Sequence, residues 1–293
     1  MQRLQFIIAY SFLWLFSKLP FFVLHRISDF AFLILYYLFN YRKEVVLDNL
    51  KIAFPEKTHK ELLSIRRKFF RHFTDIFIET AKSFTISNKE LAKRYKFVNP
   101  EIFETVEKSG KSVALMGAHY ANWEWIVSVP RITNLECIGI YQSLSNPYFD
   151  NLIQKNRSRF GGTVIPMNQT AKRMVRNKID GIPSLYGLLS DQSPTLHRTQ
   201  YWNTFLNARV PIHTGAESLA KKHDFTVMYF KVDRVKRGYY EVHLDILTDT
   251  PKEIPNFQIT DEFLKRTEKQ IQEKPEFYFW THKRFKHKDQ GPA

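Results

Sequence analysis

The stretch MGAHYANWEW, residues 116–125, sets His119 five positions before Glu124, behind a short apolar run. A histidine and a carboxylate can share the work of removing a proton. An ionised carboxylate bonded to one ring nitrogen fixes the tautomer, and the other nitrogen then takes a proton from a hydroxyl. That chemistry needs no serine or cysteine nucleophile. Whether the two side chains meet is a question of geometry. On one continuous helix, positions i and i+5 lie well apart around the axis, so a wholly helical stretch would separate them. The residues before His119 argue for a break: residues 113–116 read as a short buried strand, and Gly117-Ala118 supply a tight exit. Asn122 is then placed to cap a helix starting at Trp123, with Glu124 in its first turn, where free amides and the helix dipole favour an ionised carboxylate. A loop histidine and a helix-start glutamate can fold together. The same residues also fit a buried structural histidine beside a surface glutamate, and the rest of the chain has to separate these readings.

The elements that must position the pair follow from periodicity. Strands are expected at 113–116, 136–141, 163–166, 184–189, 226–232 and 239–246, with helices at 147–160, 170–178, 214–222 and 261–273. An amphipathic helix announced by Pro55 and Thr58 precedes them. Strands alternating with helices predict an α/β fold, a mixed, mainly parallel β-sheet flanked by helices, with a hairpin turned at Gly238. In such a sheet ligands bind outside the carboxyl ends of strands. His119 lies there, and so do Asp191 and Gln192 in LYGLLSDQS. Arg157 and Arg159 stand two apart on one helix and face differently, so at most one of them enters the site. An arginine there can grip phosphate through its planar fork. Asn122, Arg157, Asp191 and Gln192 are therefore the candidate substrate-binding residues around His119 and Glu124. A histidine–glutamate base, an arginine and a strand-end carboxylate suit acyl transfer to a hydroxyl on an anionic acceptor.

Composition narrows the partners. Lys and Arg number 44 against 29 Asp and Glu, a formal charge of +15, which suits nucleic acid, anionic lipid or an acidic protein. The basic residues are spread among helices without an aromatic–basic recognition motif, which argues against nucleic acid. The single cysteine, Cys137, excludes a disulfide framework and paired-cysteine zinc spacing, and no HExxH occurs. SGKS at 109–112 lacks the earlier glycine of a phosphate loop and reads as a helix-to-strand turn. No metal site is expected. The first forty residues hold apolar runs at 6–16 and 30–39, interrupted by Lys18, Pro20, His25, Arg26 and Asp29. Neither run reaches the roughly 18 residues of a clean span, and no cleavage site of a secretory leader follows. Residues 1–40 are expected to be a hydrophobic helical membrane anchor, either one tilted span or helices lying in the interface, serving location more than chemistry. Residues 41–293 are then the catalytic domain, placed on the cytoplasmic side by Arg42 and Lys43.

Taken together, NLKIAFPEKTHKE (49–61), GAHYANWEW (117–125), NPYFDNLIQKNRSRFGG (146–162), LLSDQS (188–193) and PEFYFWTHKRFKHK (275–288) run in one order over nearly the whole chain. This combination resembles the lipid A late acyltransferases of Gram-negative bacteria, members of the lysophospholipid acyltransferase superfamily. The resemblance implies a glycerolipid acyltransferase-like fold and an O-acyltransferase activity. It implies His119 as the base, Glu124 as the carboxylate that orients it, and Arg157 and Asp191 as site residues. The donor would be an acyl carrier protein thioester, with no metal and no cofactor, at the cytoplasmic face of the inner membrane. An acidic carrier protein agrees with the positive charge of this chain. Tyr141-Gln142-Ser143 stands where many members carry Tyr-Arg-Pro, and relatives in the superfamily acylate other membrane lipids. The acceptor is thus a lipid A precursor or, alternatively, a lysophospholipid, amino-acid lipid or glycolipid. In the C-terminal FWTHKRFKHK, Trp280, Arg284 and Lys286 are expected either to pack and snorkel at a membrane surface or to hold the catalytic sheet in place, a structural and membrane-contact role and not a catalytic one.

Overall fold

A computed structural model describes residues 2–291. Five helices come first: α1 (Gln2–Lys18), α2 (Phe21–Leu33), α3 (Lys43–Ala53), α4 (His59–Lys82) and α5 (Asn88–Arg94). Then follow β1 (Tyr95–Phe97), α6 (Ile102–Ser109), β2 (Val113–Gly117), β3 (Glu136–Tyr141), α7 (Pro147–Ser158), β4 (Thr163–Pro166), α8 (Thr170–Ile179) and β5 (Ser184–Leu189). The chain continues through β6 (Trp202–Phe205), β7 (Ala208–Pro211), α9 (Gly215–His223), β8 (Thr226–Lys236), β9 (Tyr239–Thr248) and α10 (Gln258–Glu273). Seven strands form one sheet in the order β1-β9-β8-β2-β5-β3-β4. Only the β8–β9 pair is antiparallel, so the sheet is mixed and mainly parallel, with helices flanking it, as expected. β2 is buried at all five positions, as a central strand covered on both faces must be. Gly110 (φ +66°) ends α6 in the left-handed region, so SGKS is a helix-to-strand turn. The β6–β7 hairpin was not anticipated. Leu206 and Asn207 turn it with φ of +48° and +63°, a turn usually announced by glycine, which this sequence does not offer.

The N-terminal helices carry apolar side chains on both their inward and their outward sides. One π turn, Ile34–Leu38, continues α2, so that Phe21–Leu38 forms 18 helical residues of mean hydropathy 1.5, long and apolar enough to cross a membrane. Of the polar residues that break the apolar pattern, Lys18 and Arg26 are exposed, whereas His25, Ser28 and Asp29 point inward. Ser28 Oγ donates to Asp75 Oδ1 at 2.7 Å, Asp29 pairs with Arg237 at 2.9 Å, and His25 Nε2 lies 3.5 Å from Glu79 Oε1. Spaced i, i+3 and i+4, these three share one face. Phe22, Phe30 and Leu38 on the outward side are 63–72% exposed. Lys82 Nζ donates to Ser17 O and Leu19 O, both at 2.8 Å, which ties the end of α1 to α4.

Residues 2–40 are thus stitched to the body of the protein. Leu24, Phe32 and Tyr36 are buried against it, each contributing about 1.5–3 kcal/mol. Deleting residues 1–40 is expected to give a protein that aggregates even in detergent, since Asp75 and Glu79 lose partners and the α4 surface loses its cover. Size exclusion and limited proteolysis in detergent check this. A monodisperse, protease-resistant truncation would show the anchor to be separable.

The C-terminal segment takes the structural one of its two expected roles. Trp280 and Arg284 are fully buried, whereas Lys286 is exposed. Asn49 Nδ2 donates to Trp280 O and His282 O, both at 2.8 Å, and Arg42 Nη1 donates to Thr281 O at 3.0 Å. The segment does not snorkel because it is threaded between α3 and the loops at the carboxyl edge of the sheet.

Candidate active site

Strand register assembles the centre of the site. β2 and β5 are parallel neighbours with Gly117 opposite Leu189, and Ser190 N–H donates to Gly117 O at 3.1 Å. Two residues past each strand end, His119 and Asp191 therefore emerge side by side. His119 Nδ1 lies 2.7 Å from Asp191 Oδ1, and Asp191 is buried. The carboxylate bonded to His119 is thus Asp191, not Glu124. A five-residue spacing suggested the nearer glutamate, but the neighbouring strand delivers a carboxylate at hydrogen-bonding distance.

Glu124 sits at the start of a 3-10 helix, Trp123–Arg131, where an α-helix was expected. Asn122 caps it as anticipated, its Oδ1 accepting from Trp125 N–H at 3.2 Å. Glu124 grips Arg157, in the last turn of α7: Nη2 donates to both carboxylate oxygens at 2.8 and 2.9 Å, and Nε to one at 3.3 Å. This side-on fork uses Nε and Nη2 and leaves Nη1 without a protein partner among the described residues. Asn122 itself is fully buried, its Nδ2 donating to Glu79 Oε2 at 2.7 Å, so both ends of its amide serve the scaffold. Gln192 is half-buried beside Asp191.

Charge makes the histidine a base. Burial alone would lower the His119 pKa, but the charge and hydrogen bond of Asp191, with the more distant charge of Glu124, hold it above the ordinary histidine value, against opposition from Arg157. Asp191 is pushed up by burial and pulled down further by His119, so its carboxyl stays below the usual range and ionised. An ionised Asp191 accepts from Nδ1–H, and Nε2 is left with its lone pair. Cys137 is no rival nucleophile: burial pushes its thiol up to about 12, and it lies in the core.

The loop that carries His119 is held from an unexpected quarter. Ala121 adopts φ +48°, and its N–H donates to Phe277 O at 2.9 Å, while Phe279 N–H donates to His119 O at 3.0 Å. The rings of Trp123 and Phe279 flank the imidazole at 5.4 and 6.0 Å between centroids. Phe279 is the site residue that sequence reasoning missed. Its only signal was the aromatic density of PEFYFW. Ser193, after Asp191, donates its N–H to His282 Nε2 at 3.1 Å, and burial keeps His282 neutral by lowering its pKa to about 4. Beside Glu124 opens an apolar pocket of about 230 Å³, lined by Phe69, Phe73, Phe77, Trp123 and Phe279. Among the described residues, no group of three or more His, Cys, Asp or Glu side chains is placed to hold a metal ion.

Arg157, in the last turn of α7, and Arg159, just past its end, take different partners, as expected. Arg159 donates to Ser83 O and, at 3.2 Å, to Ile86 O, closing the end of α4 away from Glu124. Arg157→Lys keeps the charge but loses the fork, so kcat/KM is expected to fall at least about tenfold with little change in Tm. Arg159→Lys is expected to lower Tm and leave kcat/KM near normal. Equal effects on activity would break the assignment.

The sequence profile of the bacterial lipid A biosynthesis acyltransferases matches residues 2–287. A lipid A biosynthesis lauroyltransferase from Escherichia coli (strain K12) is 24% identical over 284 residues, covering 95% of this chain and 90% of that protein.

Proposed function

Because the chain belongs to the bacterial lipid A biosynthesis acyltransferase family, we propose that it moves a fatty acyl chain from an acyl carrier protein thioester to a hydroxyl of a lipid A precursor. His119 is the general base in this reading. The observation that carries it is the bond of His119 Nδ1 to an ionised Asp191, which leaves Nε2 free to accept a proton at the carboxyl edge of the sheet. The acceptor oxygen attacks the thioester carbonyl carbon as its proton passes to Nε2. The tetrahedral intermediate then expels the carrier's sulfur, which takes the proton back from the imidazolium as the C–S bond breaks. The products are an ester and the carrier thiol, and no further reactant is required. Asp191 stabilises the imidazolium formed on the way. Arg157 offers Nη1 to an anionic group, from the acceptor or the carrier's prosthetic arm, while Glu124 fixes its plane.

The reaction belongs at the cytoplasmic face of the inner membrane. The outward apolar side of the N-terminal helices supports contact with a membrane, with Phe12 in α1, Phe22 in α2 and Phe39 just past the π turn each more than 69% exposed. The formal charge of +15 suits both anionic lipid and an acidic carrier protein. The test is mass spectrometry of membrane lipids from cells with and without the gene, joined to transfer in vitro from acyl carrier protein thioester. Lipid A lacking one acyl chain in the deletion supports the reading. Unchanged lipid A with an altered phospholipid or amino-acid lipid would reassign the acceptor.

A further inference from the structure

One row of side-chain positions runs across four strands: Leu115 on β2 faces Gly187 on β5, which faces Gly139 on β3, which faces Val164 on β4. Positions paired in this way point to the same side of the sheet. Both central positions lack a side chain, and the 3-10 helix Trp123–Arg131 passes over them with Ile126 and Val127. A trench therefore remains between sheet and helix. It consists of two adjoining clefts of about 100 and 60 Å³, and Gly139, Gly187, Val164, Ile126, Val127 and Arg157 line both. The first cleft reaches Trp123 and Glu124, and the second runs on to Cys137 and Leu185. Apart from Glu124 and Arg157 at the mouth, no charged side chain lines it. A void under a buried helix forfeits packing contacts, so two adjacent glycines that keep one open weaken the fold locally.

We propose that this trench holds the distal carbons of the transferred acyl chain, and that Gly187 and Gly139 set the length that fits. The inference rests on the acyl-transfer reading above. It gives the donor chain a slot separate from the pocket beside Phe73 and Phe77, which opens toward α4. A Cβ on Gly187 would meet only Ile138 O, at 3.9 Å, whereas one on Gly139 would press on Val164 Cγ1 at 3.0 Å. Gly187 is therefore the clean probe.

The experiment compares wild type with Gly187→Ala and Gly187→Val, offering competing acyl carrier protein thioesters to a lipid A precursor. In parallel, Tm is read with free fatty acids of roughly 8 to 16 carbons, a measurement that needs no transfer. Both variants should fold, and Gly187→Ala should have a raised Tm. The preferred chain should shorten by two carbons or more. Relative kcat/KM for the wild-type favourite should fall about tenfold or more, because methylenes in an apolar pocket discriminate at that level. The fatty acid giving the largest Tm rise should shorten in step. An unchanged length profile in folded Gly187→Val, or a uniform loss across all lengths, overturns the trench. If wild type transfers nothing to the precursor while the binding profile still shifts, the acceptor reading falls and the trench stands.

Discussion

His119→Ala is expected to abolish acyl transfer, since general-base help is typically worth about 10²–10⁴-fold. The variant removes the proposed base, and it also strips the buried Asp191 of its His119 partner at 2.7 Å. Loss of activity could then be confounded with loss of fold. His119→Gln separates the two, because its amide can still donate toward Asp191 but cannot take a proton at neutral pH. It should be as inactive as alanine while holding a Tm closer to wild type. Neither variant, nor wild type, should accumulate an acyl group on the protein. An acyl chain trapped on a serine or on Cys137 would mean a two-step nucleophilic route. Near-normal turnover in a folded His119→Gln protein would reduce the histidine to scaffold.

The second large effect is expected from Asp191→Asn, and it carries a pH signature. The base must be neutral to work, so activity rises with pH through the His119 pKa. Burial pushes that pKa down, and Asp191, by charge and hydrogen bond, more than reverses the push. The wild-type acid limb should therefore lie above the ordinary histidine value. With the aspartate charge gone, burial prevails, and the limb moves to lower pH. The maximum rate should also fall by about 10³–10⁴-fold, as when a histidine base loses the aspartate that fixes its tautomer. Glu124→Gln should move the limb in the same direction but less, because that carboxylate acts on His119 through space and spends its hydrogen bonds on Arg157. Its main consequence is a freed Arg157, read as a rise in KM. A larger limb shift in Glu124→Gln than in Asp191→Asn would restore Glu124 as the orienting carboxylate.

These expectations depend on information that the sequence holds unevenly. Residues 136–141, 163–166 and 184–189 were legible as strands to the residue, since short apolar runs between turn formers encode the local backbone. The cap at Asn122, the turn at Gly110 and the separate fates of Arg157 and Arg159 were legible for the same reason. Each depends on neighbours within about one turn of chain.

The partner of His119 was not. Asp191 lies 72 positions away and meets the histidine only because β5, and not the intervening β3 or β4, lies against β2. Nothing in local periodicity specifies strand order. Likewise, His25, Ser28 and Asp29 read as interruptions of an apolar anchor, and only packing against α4 turns them into docking contacts. Gly139 and Gly187 are ordinary strand glycines in the sequence. Register alone sets them side by side and opens a trench beneath the helix that begins at Trp123. The sequence by itself determined most of the elements around the site and the residue types at their ends. The tertiary structure decided which ends meet, because side-chain proximity across a sheet follows from pairing between distant segments and not from spacing along the chain.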